Sequence, residues 1–501
     1  MPSPDRDSTA AVGSGAPEDA AALREKALQV LLDPTLSHVV ELVAWADDTF
    51  VYAETGRGAA RVRRDAPAGA HEVLRGEDPL AVQDPLALTP PAAEAALPRP
   101  RHEQQSYPHA GIRLASLFAA EDRAPDLAVV HTDAHHWPER GGHIGEHGSL
   151  GVLQSRAPLI LSGAGVTARD VLDRSARTVD VMPTLARAAG VDARRLEGLD
   201  GTPLDVVALT GGYVVGLLWD GTNAQDLYAM AAAGELPAVG RLLDRGCAFA
   251  GGAVAEFPSV TIVNHTSALT GLGPGRHGIV NNTYFDRTTG RQILANDEAT
   301  WVDACALLRP GVRTLWEYVR EARPDAMLAC VDEPIDRGAT YSTFQLVRAS
   351  GTNSAETLTG ALPSAASDPN TTTWAAESNR DFAWGSRVDG AGLGQVLALW
   401  SAAQPPAVMW WNSTLPDAAH HNGGPRSEMA RAGLRDTDRR LGLWLDLVTE
   451  RGLLDEVTIL LTADHGMAEA DPACTGDWDE ALREAGIPFR DESYGFLYLG
   501  Q

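Results

Sequence analysis

Val214-Val215-Gly216-Leu217-Leu218-Trp219 is an unbroken apolar run that stops at Asp220-Gly221. A strand with one wet face alternates apolar and polar residues, so a continuous run marks a strand covered on both faces. The pattern recurs downstream. Residues 327–331 end at Asp332-Glu333, residues 408–411 lead to Pro416-Asp417, and residues 457–462 end at Asp464-His465. Helical stretches follow these runs. Strands alternating with helices predict an α/β fold with a largely parallel central sheet and helices on both faces. Ligands in such folds bind beyond the carboxyl ends of the strands, which is where these polar residues fall.

Composition narrows the class. The chain has 501 residues, 44% hydrophobic and 22% charged, enough for a large core and ordinary for a globular protein. Its net charge of −26 argues against gripping nucleic-acid polymers or anionic membranes. An anionic substrate would therefore need local positive charge, which metal ions could supply. No run reaches the roughly 18 apolar residues of a membrane span. The start, Met1-Pro2-Ser3-Pro4, lacks the basic and apolar regions of a signal peptide, so a cytoplasmic location is the expectation. Cys247, Cys305, Cys330 and Cys474 lie far apart, which predicts buried free thiols. Oligomeric state leaves no mark in the sequence.

Residues 1–19 are rich in Ala, Gly, Ser, Pro and Asp and are expected to be a disordered tail. A helix is expected over 20–32, and strands over 39–46, 49–53, 59–63, 127–130 and 159–161. Irregular surface structure is expected over 65–110. A loop between the last two strands carries His131, His135, His136, His143 and His147. Residues 340–395, rich in Ser, Thr, Asn and Trp, break the strand–helix pattern and read as a cap inserted over the site.

Asp464-His465 offers a carboxylate and an imidazole at the end of a buried strand, a pair suited to zinc and equally to a structural hydrogen bond. Pro416-Asp417-Ala418-Ala419-His420-His421 adds a second pair, with both histidines as candidates and a helix cap at Asp417 as the plain alternative. Asp220 is a third carboxylate, or simply a turn residue with Gly221. Thr261 lies in Phe257-Pro258-Ser259-Val260-Thr261-Ile262-Val263-Asn264-His265, before a helix. A hydroxyl there is commonly a cap. It becomes a nucleophile where a metal lowers its pKa and the helix dipole supports an incoming anion. His277 and Asn282 lie in a following loop that could return towards the helix start.

Taken together, Trp219-Asp220-Gly221 and residues 257–270, 274–282, 416–425 and 463–467 resemble the nucleotide pyrophosphatase/phosphodiesterase branch of the alkaline phosphatase superfamily. The likeness covers most of residues 212–501. Residues 126–190, with Gly145-Glu146-His147-Gly148-Ser149 and the run Ala157-Pro158-Leu159-Ile160-Leu161-Ser162-Gly163, resemble that superfamily's closing section. The closing section precedes the opening one, and each piece occurs once. That order implies a circular permutation. Residues 20–210 would correspond to the usual C-terminal part of one catalytic domain and residues 211–501 to its usual N-terminal part, joined near Thr210-Gly211-Gly212.

The resemblance implies one zinc held by Asp220, Asp464, His465 and the Thr261 hydroxyl, and a second held by Asp417, His421 and His147. It favours His421 over His420 by its spacing of four from Asp417, with His420 standing where a glycine is usual. For His147 it leaves His131, His135, His136 and His143 as close alternatives. Asn282 would contact a non-bridging phosphate oxygen, while His277 and Asn264 would be structural. The implied activity is hydrolysis of phosphodiester or nucleotide pyrophosphate bonds in a small-molecule ester, through a phospho-threonine intermediate at Thr261 on two divalent metals. The neutral amide of Asn282 suits the single charge of a diester. Hydrolysis of phosphonoacetate or of phosphomonoesters is the enzymatic alternative, and a metal-binding pseudoenzyme is the alternative of another class. A sulfatase is disfavoured because no Cys-x-Pro-x-Arg-like site is present.

Overall fold

The computed structural model describes residues 20–500 apart from 69, 139–140, 211, 298 and 351–379. The expected tail (1–19), Gly211 of the expected junction and much of the expected cap lie outside the described residues. The central sheet has eight strands in the order Tyr341–Ser342, Leu328–Val331, Val408–Ser413, Tyr213–Trp219, Val457–Thr462, Leu159–Gly163, Gly246–Phe249 and Asp170–Leu172. Leu159–Gly163 alone among them runs against its neighbours, so the sheet is largely parallel.

The unbroken apolar runs have the reason anticipated for them. Val214 and Leu218 join a core with Met182 and Leu185 of helix Val181–Ala188. Val215, Leu217 and Trp219 join a different core on the opposite face, with Leu441 and Trp444 of helix Glu428–Glu450. Burying side chains on both faces excludes the polar alternation of a wet strand. Gly216 makes room for a neighbour: a Cβ there would fall 2.3 Å from the Trp410 ring.

A second sheet of seven strands is antiparallel throughout. Its order is Phe489–Glu492, Phe496–Leu499, Leu127–His131, Val40–Ala46, Phe50–Glu54, Gly58–Arg63 and Glu72–Gly76. The two halves of the chain meet in it, through Phe496 opposite Ala128 and Leu497 opposite Leu127. They meet again in the central sheet, where Leu159–Gly163 separates Val457–Thr462 from Gly246–Phe249. Helix Ala20–Leu31 buries Leu23, Ala27 and Leu31 against Trp478, Leu482 and Leu497. Gly500 lies beside that helix, since a Cβ on it would sit 3.9 Å from Leu23 Cδ2.

Residues 65–110 are more ordered than their composition indicates. They form the exposed edge strand Glu72–Gly76 and the helix Pro91–Ala96, whose buried Glu94 pairs with buried Arg156. A polar anchor of this kind leaves no apolar periodicity to read. At the flanks of the expected cap, Tyr341–Ser342 is an edge strand of the central sheet and Arg380–Ser401 a long helix. All four cysteines are free; Cys247 and Cys330 are buried, while Cys305 and Cys474 are partly exposed. Among the described residues no helix is long and apolar enough to cross a membrane.

Removing residues 1–210 would strip Leu159–Gly163 and the edge strand Asp170–Leu172 from the central sheet and five adjoining strands from the other. Residues 211–501 alone are expected to be insoluble. A gene reordered as 211–501 followed by 20–210 is expected to give a soluble protein with a cooperative thermal transition, because Gly500 already adjoins helix Ala20–Leu31. Soluble, folded 211–501 would contradict this interleaving.

Candidate active site

Parallel strands end on one side of a sheet, and that edge collects the polar residues. Tyr213–Trp219 delivers Asp220, and Val457–Thr462 delivers Asp464 and His465. Helix Leu415–Gly423 carries Asp417 and His421 one turn apart on the same face. Thr261 is the first residue of helix Thr261–Thr270. Gly221, at φ 62°, lets Asp417 approach: a Cβ on it would lie 2.5 Å from Asp417 Oδ1.

His147 arrives from the other half of the chain. Its Nε2 lies 3.1 Å from His421 Nε2, and its ring stacks on His465 at 3.9 Å between centroids. Gly148, at φ 105°, keeps the turn clear of the Tyr494 ring, whose hydroxyl lies 3.3 Å from His147 Nε2. His421 Nε2 lies 3.4 Å from Asp417 Oδ1, and His465 Nε2 lies 3.1 Å from Asp464 Oδ2 and 3.8 Å from Asp220 Oδ1. Thr261 Oγ1 is 3.5 Å from His465 Nε2. Asn282 reaches the same helix start, where its Oδ1 accepts from the Ile262 N–H at 3.3 Å.

The three imidazoles share one orientation. Nδ1 of His147 faces Ser259 O (3.1 Å), Nδ1 of His421 faces Gly145 O (2.7 Å) and Nδ1 of His465 faces Gly466 O (2.9 Å). A backbone carbonyl at Nδ1 fixes the proton there and leaves the Nε2 lone pair for the centre, as metal-binding histidines require. The carboxylates point to the same conclusion. Asp220 Oδ1, Asp417 Oδ1 and Asp464 Oδ2 are buried without a hydrogen-bond partner, and each such atom costs about 1–3 kcal/mol or more. Burial first, then Asp464 and Asp417, push the Asp220 carboxyl well above its usual range. Burial, then His465 and His421, hold His147 well below the usual imidazole range, which keeps it neutral. Orphaned carboxylates facing imidazole Nε2 atoms are the donor set of a cation such as zinc. The residues present fit it.

Two groups of ligand atoms lie within 4.8 Å of one another: Asp220, His265 and Asp464, and His147, Asp417 and His465. His465 therefore sits at the junction of the two expected sets and His421 beside the second. His265 was not assigned a role by the sequence reading. Its Nε2 stands 3.7 Å from both Asp220 Oδ2 and Asp464 Oδ2, while Glu333 Oε2 holds its Nδ1 at 2.8 Å. Its position four residues after Thr261 on one helix was the available signal.

Of the competing histidines, His131 backs the site with Nε2 3.1 Å from the His147 carbonyl, and His135 faces Gly476 O. His143 joins a third group with Glu146 and His421 at its rim. His420 turns its Nδ1 to Pro416 O at 2.5 Å, and burial pushes its pKa down to about 4. His277 bonds Ser267, and Asn264 bonds the backbone of Glu256, Pro258 and Val260.

Residues 214–499 match the sequence profile of the family described as type I phosphodiesterase / nucleotide pyrophosphatase. The chain belongs to that family. The family is a hydrolase family and lies in the alkaline phosphatase superfamily that the motifs resemble. Among its relatives, the mouse bis(5'-adenosyl)-triphosphatase enpp4 is 26% identical over 233 residues, 45% of this chain and 42% of that one. Venom phosphodiesterase 2 of Crotalus adamanteus is 26% identical over 215 residues, 43% of this chain and 22% of that one. The chain thus spans less than half the length of these curated relatives. Among solved structures, murine ectonucleotide pyrophosphatase / phosphodiesterase 5 aligns over 56% of this chain and 64% of its own, at 18% identity and a TM-score of 0.37. Phosphonoacetate hydrolase from Sinorhizobium meliloti aligns over 51% of this chain and 56% of its own, at 24% identity and a TM-score of 0.34.

The orientation of the two adjacent histidines gives a direct expectation. His421→Ala is expected to lower bound zinc by about one ion per chain, measured by elemental analysis after dialysis. His420→Ala is expected to leave zinc content unchanged. Equal loss in both variants would contradict the assignment of His421.

Proposed function

We propose that the protein hydrolyses phosphodiester or nucleotide pyrophosphate bonds, with Thr261 as nucleophile beside two divalent metal ions, zinc foremost. The observation that carries the reading is the convergence of orphaned carboxylates and Nε2 atoms around the Thr261 hydroxyl at a helix N-terminus. Asp220, Asp464 and His465 would hold one ion, and Asp417, His421 and His147 the other. Bound there, such ions supply Lewis-acid polarisation and neutralise charge on the phosphoryl group.

The chain's own residues do the rest. Thr261 Oγ1 attacks phosphorus as its proton passes to water, the bond to the leaving oxygen breaks and that oxygen takes up a proton, and the phosphoryl group stays on Thr261 until water adds to phosphorus and the bond to Oγ1 breaks. The helix N-terminus favours the anion. Asn282, whose Oδ1 is taken by the Ile262 N–H, keeps its Nδ2 hydrogens for a non-bridging oxygen. A monoester would call for a further cation, and Arg276 is engaged elsewhere, with Asp200 Oδ1 and Gly198 O at 2.7 and 2.8 Å. That supports a diester.

We also propose that the chain order is a circular permutation of the family's. Two observations support this: the family match is confined to residues 214–499, and His147 reaches the same site from residues before it.

Thr261→Ala is expected to keep its zinc and its thermal transition and to lose kcat on bis(p-nitrophenyl) phosphate by about 10³-fold or more. Near-normal turnover would reduce the hydroxyl to a helix cap. Zinc-loaded wild type with no turnover on phosphodiester, phosphomonoester or phosphonoacetate would identify a pseudoenzyme.

A further inference from the structure

Asp133, just beyond strand Leu127–His131, is a buried acid that the proposed chemistry does not use. Its two oxygens are taken by two amides. Oδ1 accepts from Gln154 Nε2 at 2.9 Å, and Oδ2 accepts from Gln105 Nε2 at 2.8 Å. Burial lifts the carboxyl to about 7, with Glu41 and Glu94 adding to the rise and the two amide hydrogen bonds opposing it.

An amide that donates on one side presents its carbonyl on the other. Gln154 Oε1 accepts from the Ser149 N–H at 2.9 Å, and Gln105 Oε1 accepts from the N–H groups of Ser106 and Val152 at 3.2 and 3.3 Å. An ionised Asp133 can only accept, so it sets the direction of both glutamines. Their base is fixed as well. Gln154 O accepts from the Gly466 N–H at 3.0 Å, and Gly151 leaves room where a Cβ would fall 2.6 Å from Gln105 Nε2. Ser149 carries the order onward to the centre. Its carbonyl accepts from Ser259 Oγ at 2.6 Å, and the Ser259 carbonyl is the one that meets His147 Nδ1 at 3.1 Å. Asp133, Gln105, Gln154, Ser149 and Ser259 are each 3% exposed or less, which leaves water little access to replace a lost partner.

We propose that Asp133 is a positioning residue for the second metal ion: through Gln154, Ser149 and Ser259 it fixes the place of His147 beside His421. It does so by accepting twice, which an amide in its place cannot do. The proposal rests on the reading of His147 as a ligand of that ion. Partners that orient a metal-binding histidine from behind set the affinity of the site as well as its shape.

The test titrates zinc into the metal-free full chain against a chromophoric chelator, at a pH of about 8.5, where Asp133 is ionised. Wild type is expected to bind two ions and His147→Ala one, which identifies the ion in question. Asp133→Asn offers one acceptor in place of two, so one glutamine must turn and its carbonyl is lost to the backbone. This variant is expected to bind that ion about tenfold or more weakly and the other ion unchanged. Combining Asp133→Asn with Gln154→Glu restores the pattern: the new amide donates to the new carboxylate, whose second oxygen still meets the Ser149 N–H. The double variant is expected to recover wild-type affinity. Ser259→Ala keeps the backbone carbonyl, loses only Oγ and is expected to weaken the same ion; it decides the question if Asp133→Asn lacks a cooperative melting transition. An unchanged ion in a folded Asp133→Asn, equal weakening of both ions, or no recovery in the double variant would overturn the proposal. If His147→Ala keeps both ions, the reading of His147 as a ligand fails and the proposal falls with it.

Discussion

Asp220, Asp417 and Asp464 are brought to one small space by two strands and a helix, where three carboxylates must coexist with little water. Two like charges about 4 Å apart repel by about 4 kcal/mol at an effective dielectric of 20. No hydrogen bond from the described residues reaches Asp220 Oδ1, Asp417 Oδ1 or Asp464 Oδ2. Much of the local structure follows from that constraint. Backbone carbonyls at Ser259, Gly145 and Gly466 hold the Nδ1 side of three imidazoles, so that their Nε2 atoms face the carboxylates. Gly221 has no side chain, so Asp417 can approach Asp220. An arrangement that is costly for the bare protein is the one that divalent cations stabilise.

The second consequence concerns the chain's path. His147 and Leu159–Gly163 come from before residue 210, yet one enters the site and the other the middle of the catalytic sheet. Sheet pairing, core and candidate ligands are thus shared between the two halves of the sequence. What matters to the chemistry is the set of contacts, and the order in which the chain visits them is free to change provided the ends to be joined are close. The same edge of the sheet also opens into a cavity lined by Trp301, Phe344 and Trp384, so Thr261 stands between a strongly polar centre and an aromatic chamber.

The central sheet was legible because burial on both faces writes itself as continuous apolar runs, and because Asp220 and Asp464-His465 follow those runs directly. The preference for His421 over His420 came only from resemblance. Their spacings from Asp417 differ by one, and what separates them is the carbonyl each Nδ1 finds. The strands of the antiparallel sheet over 39–63 and 127–130 were read singly but not assembled, and Glu72–Gly76 and Phe489–Glu492 were not read as strands, since the pairing of Leu127 with Leu497 joins distant parts of the chain and leaves no local pattern. His265 was missed because Glu333, the residue that orients it, comes from another strand's end. Trp301, Phe344 and Trp384 have no periodic relation, and neither does the Glu94–Arg156 pair.

Diffraction from crystals grown with zinc, recorded on either side of the zinc absorption edge, tests most directly whether both halves of the chain build one centre. The account predicts two anomalous peaks. One should lie about 2.0–2.1 Å from Nε2 of both His147 and His421, with Asp417 completing it, and the other should lie among Asp220, Asp464 and His465. Peaks elsewhere, or a second ion held without His147, would contradict the account.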